Sequence, residues 1–126
     1  MNKTEQAELV ADNIKLLLGI NVYENKRTLP IVDARSMYCY ILKKDLGYTL
    51  YEIRDSLRAN GKKYDHCTVL HNINLWDEVS KRRKELNQIR LELLGKIAPK
   101  NTIISYIQNI TDKEKINIIY NYIQSL

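Results

Sequence analysis

Residues 49–79 decide the fold, and they read TLYEIRDSLRANGKKYDHCTVLHNINLWDEV. Thr49 and Glu52 have the spacing of a capping box, in which the hydroxyl and the carboxylate each accept a hydrogen bond from a free amide at a helix start. Gly61 then interrupts the chain, and Asp65 is a residue type that caps the next helix and favours its positive dipole end. Two helices joined by such a loop have the outline of a helix-turn-helix.

Apolar residues recur at helical spacing along the chain and strand-like alternation is absent, so the sequence predicts an all-α fold in one domain, residues 1–126. Four helices are expected in the first part of the chain: residues 3–18 before Gly19, a second from Ile31 or Val32 to Gly47, a third from Thr49 to Asn60, and a fourth from Asp65. Two short helices are expected within residues 103–123, and a capping box at residues 111–114 precedes the last of them. Because no glycine or proline lies between Asp65 and Gly95, the fourth helix is free to continue to Leu94. The result is a helix-turn-helix bundle of about six helices, with residues 81–126 forming a long-helix continuation and a C-terminal helical extension.

The apolar positions of each helix predict its inward face. The expected inward residues are Leu9, Val10, Ile14, Leu17 and Leu18 in the first helix, Ala34, Met37, Tyr38, Ile41 and Leu42 in the second, Leu50, Ile53 and Leu57 in the third, and Val69, Leu70, Ile73, Trp76 and Val79 in the fourth.

Positive charge is concentrated in one third of the chain. Residues 26–63 carry nine basic and four acidic side chains, a difference of five that equals the net charge of all 126 residues, +5. A concentrated positive field attracts a polyanion and raises its association rate. The alternative is a solvated, lysine-rich surface that has no partner.

Several protein classes are excluded by what the sequence lacks. No uncharged apolar run approaches the ~18 residues of a membrane span, and the polar, acidic start predicts no signal peptide and a cytoplasmic location. Cys39 and Cys67 do not make a disulfide framework, and without CxxC or HExxH we expect no metal and no cofactor. A nucleophile with a neighbouring base, a carboxylate pair and a phosphate-binding loop are all missing, so we expect no enzyme.

Three stretches, Ala34-Arg35-Ser36-Met37-Tyr38, Leu50-Tyr51-Glu52-Ile53 and Tyr64-Asp65-His66-Cys67-Thr68-Val69-Leu70-His71, carry a resemblance to a known family. Residues 26–80 resemble the C-terminal DNA-binding domain of the bacterial replication initiator DnaA, and the D-H-x-T-V-x-H pattern at residues 65–71 matches the core of its signature GGRDHTTVxHA. The resemblance implies a Trp-repressor-like helix-turn-helix core, to which this chain adds N- and C-terminal helices.

The resemblance also implies which residues bind DNA. The family segment that reads base edges and thymine methyls in the major groove falls on Asp65, His66, Cys67 and Thr68. Arg35 matches a phosphate or groove-anchoring arginine, Lys43 matches a family lysine, and Arg27 has the spacing of an arginine that reaches the minor groove. Lys62 and Lys63 in the preceding loop complete the predicted DNA-binding residues. For two of these a plainer role stays open, since His66 could simply be solvated and Arg35 could pair with Asp33 or Asp45.

The departures from the family pattern limit what the resemblance implies. Cys67 replaces a threonine, Arg54 replaces a glycine, and the loop before Asp65 is longer. No GxxxxGK[ST] occurs, so these residues carry no ATPase module.

We therefore expect a protein that binds double-stranded DNA in replication initiation or transcription control, encoded by a phage or mobile element, at a site other than the family's usual target. The alternative is an interaction module that forms a homodimer through the C-terminal helices or binds other replication proteins.

Overall fold

The structure, a computed structural model, describes residues 2–97, and within them the fold is all-α. The helices are α1 Lys3–Leu18, α2 Leu29–Tyr40, α3 Leu50–Ala59, α4 His66–Arg82 and α5 Glu85–Ile97, and a π-helical turn, Ile41–Asp45, continues α2. These five helices confirm the predicted class. The helices expected within residues 103–123 and the capping box at residues 111–114 lie outside the described residues.

No helix within residues 2–97 combines the length and the apolarity that crossing a membrane requires.

The helix ends follow from local chemistry that the sequence already indicated. α1 ends at Gly19, whose φ of 69° is easy only for glycine. The capping box of α3 is present, because the Glu52 amide donates to Thr49 Oγ1 (3.1 Å) and the Thr49 amide donates to Glu52 Oε1 (2.9 Å). α2 begins at Leu29, two residues earlier than expected, since Pro30 lies in the first turn, where its missing amide hydrogen costs no helical bond.

The core is built around α2, which packs most extensively against α4 and also contacts α1. Met37, Tyr38 and Cys39 are consecutive and fully buried, so α2 is enclosed on several faces rather than lying on the surface. The Ser36 hydroxyl donates to the Asn72 carbonyl (2.8 Å), which joins α2 to the middle of α4. The position of α4 in the molecule is therefore set by α2.

One inward residue was predicted wrongly. In α4 the buried residues are Val69, Asn72, Ile73, Trp76 and Val79, at intervals of three or four. Leu70 lies outside this stripe and is 44% exposed, although its neighbour Val69 is fully buried. The surface of α4 thus carries an apolar side chain that was expected in the core.

The expected continuation of α4 to Leu94 is also wrong. The helix ends at Arg82, and Arg83 leaves it with φ −123° and ψ 77°. Both arginines bond the carboxylate of Asp33, whose side chain is only 1% exposed: Arg82 at 2.8 and 3.1 Å, Arg83 at 3.5 Å. The break lets α5 turn back so that Leu86 and Leu93 become fully buried, a gain of roughly 1.5–3 kcal/mol for each side chain.

A second buried ion pair attaches α5 to the core. Arg90 donates to both carboxylate oxygens of Asp45 (2.6 and 2.7 Å), and the guanidinium lies 5.0 Å from the ring centre of Tyr40. The side chains of Asp45 and Arg90 are 1% and 12% exposed. A charge buried this deeply depends on its partner, because removing the partner leaves an unpaired charge in a dry site.

We expect Asp45→Asn to lower the free energy of unfolding by about 3 kcal/mol, because the change breaks a buried ion pair that makes two hydrogen bonds. Asp77→Asn is the matched control, since Asp77 is exposed and its ion pair with Lys81 lies in solvent; its effect should stay under about 0.5 kcal/mol. Urea denaturation of the two variants measures both values. Equal losses would show that the buried pair does not anchor α5.

Candidate nucleic-acid interface

The start of α4 is fixed by its cap. The Asp65 carboxylate accepts from the Thr68 amide (2.8 Å) and from the Thr68 hydroxyl (2.9 Å). These two hydrogen bonds hold the pKa of Asp65 below its usual value. Both side chains are therefore held in one geometry at the helix start, where the positive end of the helix dipole also lies.

The first turns of α4 present a continuous exposed face. His66, Cys67, Leu70, His71 and Asn74 are all exposed, and their spacing of one, four, five and eight residues from the first places them on one side of the helix. The opposite side is buried against the core. Sequence reasoning had identified the first two of these residues, but it missed the next three.

An aromatic and basic cluster from α3 lies beside this exposed face. The ring of Tyr51 lies 5.2 Å from the ring of His66, and the Arg54 guanidinium lies 4.9 Å from the Tyr51 ring centre. Tyr51 is 54% exposed. Arg54 also bonds Asp55 at 2.9 and 3.0 Å. Tyr51 and Arg54 were not predicted as site residues. Tyr51 reaches α4 through the ring of His66, and a contact between two helices leaves no signal in the local sequence.

The structure places Arg35 in the interior. It is 3% exposed, and it donates from Nε to the Val22 carbonyl (2.9 Å) and from Nη2 to the Glu24 carbonyl (2.6 Å). The sequence predicts a phosphate or groove-anchoring contact for Arg35, and in the structure its Nε and Nη2 are already bonded to loop carbonyls. The alternative pairing with Asp33 or Asp45 is not observed either. Asp33 bonds Arg82 and Arg83 at the end of α4, and Asp45 bonds Arg90 in α5.

Lys62 is the second buried cation of this region. It is 7% exposed, and its Nζ donates to the Glu24 carbonyl and to Asn25 Oδ1, both at 3.1 Å. Burial, and then repulsion from Arg35 and Arg27, lower the pKa of the Lys62 ammonium from its usual value. As with Arg35, these contacts lie inside the protein rather than on an open surface.

The remaining predicted cations are placed differently. Arg27 and Lys63 are exposed and form no hydrogen bond or ion pair with any residue that the structure describes. Lys43 is half-buried in the π-helical turn, and no hydrogen bond, ion pair or ring contact within residues 2–97 joins it to the start of α4. Lys63 is next to the buried Lys62 in the sequence, and Arg27 is close enough to repel the Lys62 ammonium. No such proximity is seen between Lys43 and the two buried cations among the described residues.

We expect the Asp65 cap to make stability depend on pH in one direction. Because the folded pKa of Asp65 is lowered, its contribution is present above the unfolded pKa and is lost as the pH falls through the folded pKa. Asp65→Asn keeps a capping oxygen but cannot titrate. The stability advantage of the parent over this variant should therefore shrink between about pH 6 and about pH 2, as measured by urea denaturation. A constant difference would contradict the assignment of the cap.

Comparison with protein-family models, with curated proteins and with solved structures found no match for this chain. Its function must therefore be inferred from the side chains on the surface of α4 and from the cations around the start of that helix.

Proposed function

We propose that this protein binds double-stranded DNA with sequence preference, by placing the first turns of α4 in the major groove. The observation that carries the proposal is the division of α4 into two faces. Val69, Ile73 and Trp76 are buried in the core, and this leaves the other side of α4 exposed, from His66 at the capped end to Asn74 in the middle of the helix. This binding would serve replication initiation or transcription control, in a protein that a phage or a mobile element encodes.

The exposed face has the chemistry needed to read bases. An α-helix fits the major groove, and the first turns of a recognition helix reach base edges. Asn74 can pair with adenine through both its donor and its acceptor, and His66 and His71 offer ring nitrogens to acceptors on the bases. Neither histidine side chain is buried, so both are available to a ligand.

An apolar strip divides the polar residues of this face. Cys67 and Leu70 are exposed and lie three residues apart, close to one another on the helix surface. Apolar side chains discriminate thymine from cytosine through contact with the C5 methyl group. The pair therefore favours a target in which thymine lies opposite the second turn of α4.

Cations around the helix start would hold the DNA backbone. Arg27 and Lys63 are exposed, as is Arg58, which uses one nitrogen to bond the Tyr64 carbonyl (3.1 Å). Contacts of this kind with phosphates fix the register of a protein on the duplex without reading sequence.

We expect binding of a duplex pool to weaken steeply as salt rises. If these three cations each neutralise one phosphate, the logarithm of the association constant should fall with the logarithm of salt concentration at a slope of roughly −2.7. Fluorescence anisotropy over a salt series measures this slope. Absence of binding even at low salt would overturn the proposal and favour the interaction-module alternative.

We expect His66→Ala to weaken binding of an enriched site about tenfold or more, because a base contact contributes ~1–3 kcal/mol. Gln88→Ala is the control, since Gln88 is exposed on α5, and it should leave the affinity unchanged. Equal affinities of the two variants, both folded by circular dichroism, would remove His66 from the interface.

We expect thymine methyl groups to contribute to binding through Leu70. In a site enriched from a random duplex pool, replacing the critical thymines by deoxyuridine should weaken binding about fourfold for each contacted methyl, from ~0.8 kcal/mol of buried apolar surface. In Leu70→Ala this difference should vanish, whereas it should persist in His71→Ala. A deoxyuridine penalty that Leu70→Ala leaves intact would contradict the assignment.

A further inference from the structure

The loop between α1 and α2, residues 19–28, is held by two buried cations, and neither forms an ion pair with an acidic side chain among residues 2–97. Arg35 and Lys62 together make four hydrogen bonds, and every acceptor is a backbone carbonyl or the amide oxygen of Asn25. Burying a cation is costly unless hydrogen bonds compensate for the lost water. The loop backbone from Val22 to Asn25 therefore has one favoured position, the one in which it satisfies both cations.

The same contacts join this loop to the start of α4. Lys62 lies three residues before the cap residue Asp65, so its bonds to Glu24 and Asn25 connect the loop to the turn of the helix-turn-helix. The ring of Tyr64 lies under both cations, 5.1 Å from Lys62 Nζ and 5.6 Å from the Arg35 guanidinium. Loop and recognition helix are thus attached to one another through Lys62 and Tyr64.

Arg27 adds a further positive charge to this loop. Arg27 lies two residues beyond Asn25, and it is close enough to repel the Lys62 ammonium. Its side chain is exposed and forms no ion pair within the part of the chain that the structure describes. An anion that binds beside Arg27 would relieve this repulsion.

We propose that Lys62 and Arg35 are positioning residues that hold the α1–α2 loop, a second DNA-binding element beside α4, so that Arg27 can bind the phosphodiester backbone of the duplex. This inference rests on the proposed function. It gives Lys62 a role different from that of its neighbour Lys63. Lys62 holds the loop that carries Arg27 and does not itself touch DNA, whereas Lys63 contributes only its charge.

A double-mutant cycle separates these two roles. Lys62→Met and Lys63→Met remove one positive charge each from adjacent positions, one buried and bonded, the other exposed and without a partner among the described residues. Each is combined with Arg27→Ala, and the dissociation constant for one enriched duplex is measured at fixed salt. The cycle reports whether the effect of Arg27 depends on the other residue.

We expect Arg27→Ala to weaken binding about tenfold in the parent, as loss of a hydrogen bond to a charged group should. The same change should cost less than about twofold in Lys62→Met, because the loop is already released, and should again cost about tenfold in Lys63→Met. Equal effects of Arg27→Ala in both backgrounds would overturn the positioning role. Absence of any effect in the parent would overturn the second element while leaving DNA binding by α4 intact. Failure of the parent to bind duplex at low salt would overturn both proposals.

Asn25→Ala guards against a folding defect in Lys62→Met. Asn25 is exposed, and this change removes one acceptor of Lys62 while leaving its charge in place. We expect Asn25→Ala to lower the affinity less than Lys62→Met does, and Arg27→Ala to cost less in this background than in the parent. The circular dichroism and urea midpoint of Asn25→Ala should match those of the parent. If Arg27→Ala keeps its full effect in the Asn25→Ala variant, the positioning role of Lys62 is contradicted.

Discussion

The packing of α4 against α2 determines which side chains of α4 meet solvent. The buried stripe of α4 fits against a helix that is enclosed on several faces, and the bond from Ser36 to the Asn72 carbonyl fixes the contact between the two. Since side chains three and four residues apart share a face, fixing one face also fixes the other. Exposure of His66, Leu70 and Asn74 is therefore a consequence of how the core is packed.

The structure divides the cations of the basic region by burial rather than by sequence position. Arg35 and Lys62 are enclosed and bond the backbone of a loop, whereas Arg27 and Lys63 reach solvent. The adjacent pair Lys62 and Lys63 shows how strongly one residue step changes the environment of a charge. Net charge does not show which side chains are open to a partner, whereas the surroundings of each side chain do.

Local rules were enough to predict much of the helical framework. The extent of α1, its end at Gly19 and the capping box of α3 all depend on residues within a few positions of one another, and all were predicted. The end of α4 could not be predicted in this way, because it depends on Asp33, which lies 49 residues before Arg82. No glycine or proline marks that break.

The site was predictable only in part, for the same reason. The cap at Asp65 and the exposure of His66 follow from the sequence around them. Leu70 was misassigned because two adjacent apolar residues fit the helical period almost equally well, and only the partner helix decides between them. The burial of Arg35 depends on carbonyl groups of a loop 11 and 13 residues away, and backbone groups leave no trace in side-chain patterns.

The central claim, that DNA binds across the start of α4, is tested most directly by mapping the amide signals of the isotope-labelled protein during titration with an enriched duplex. The account predicts that the signals of residues 26–28, of residues 63–74 and of Tyr51 shift together, with saturation at a single stoichiometry. Signals that shift only on the outer faces of α1 and α5, or that do not shift at all at low salt, would contradict it.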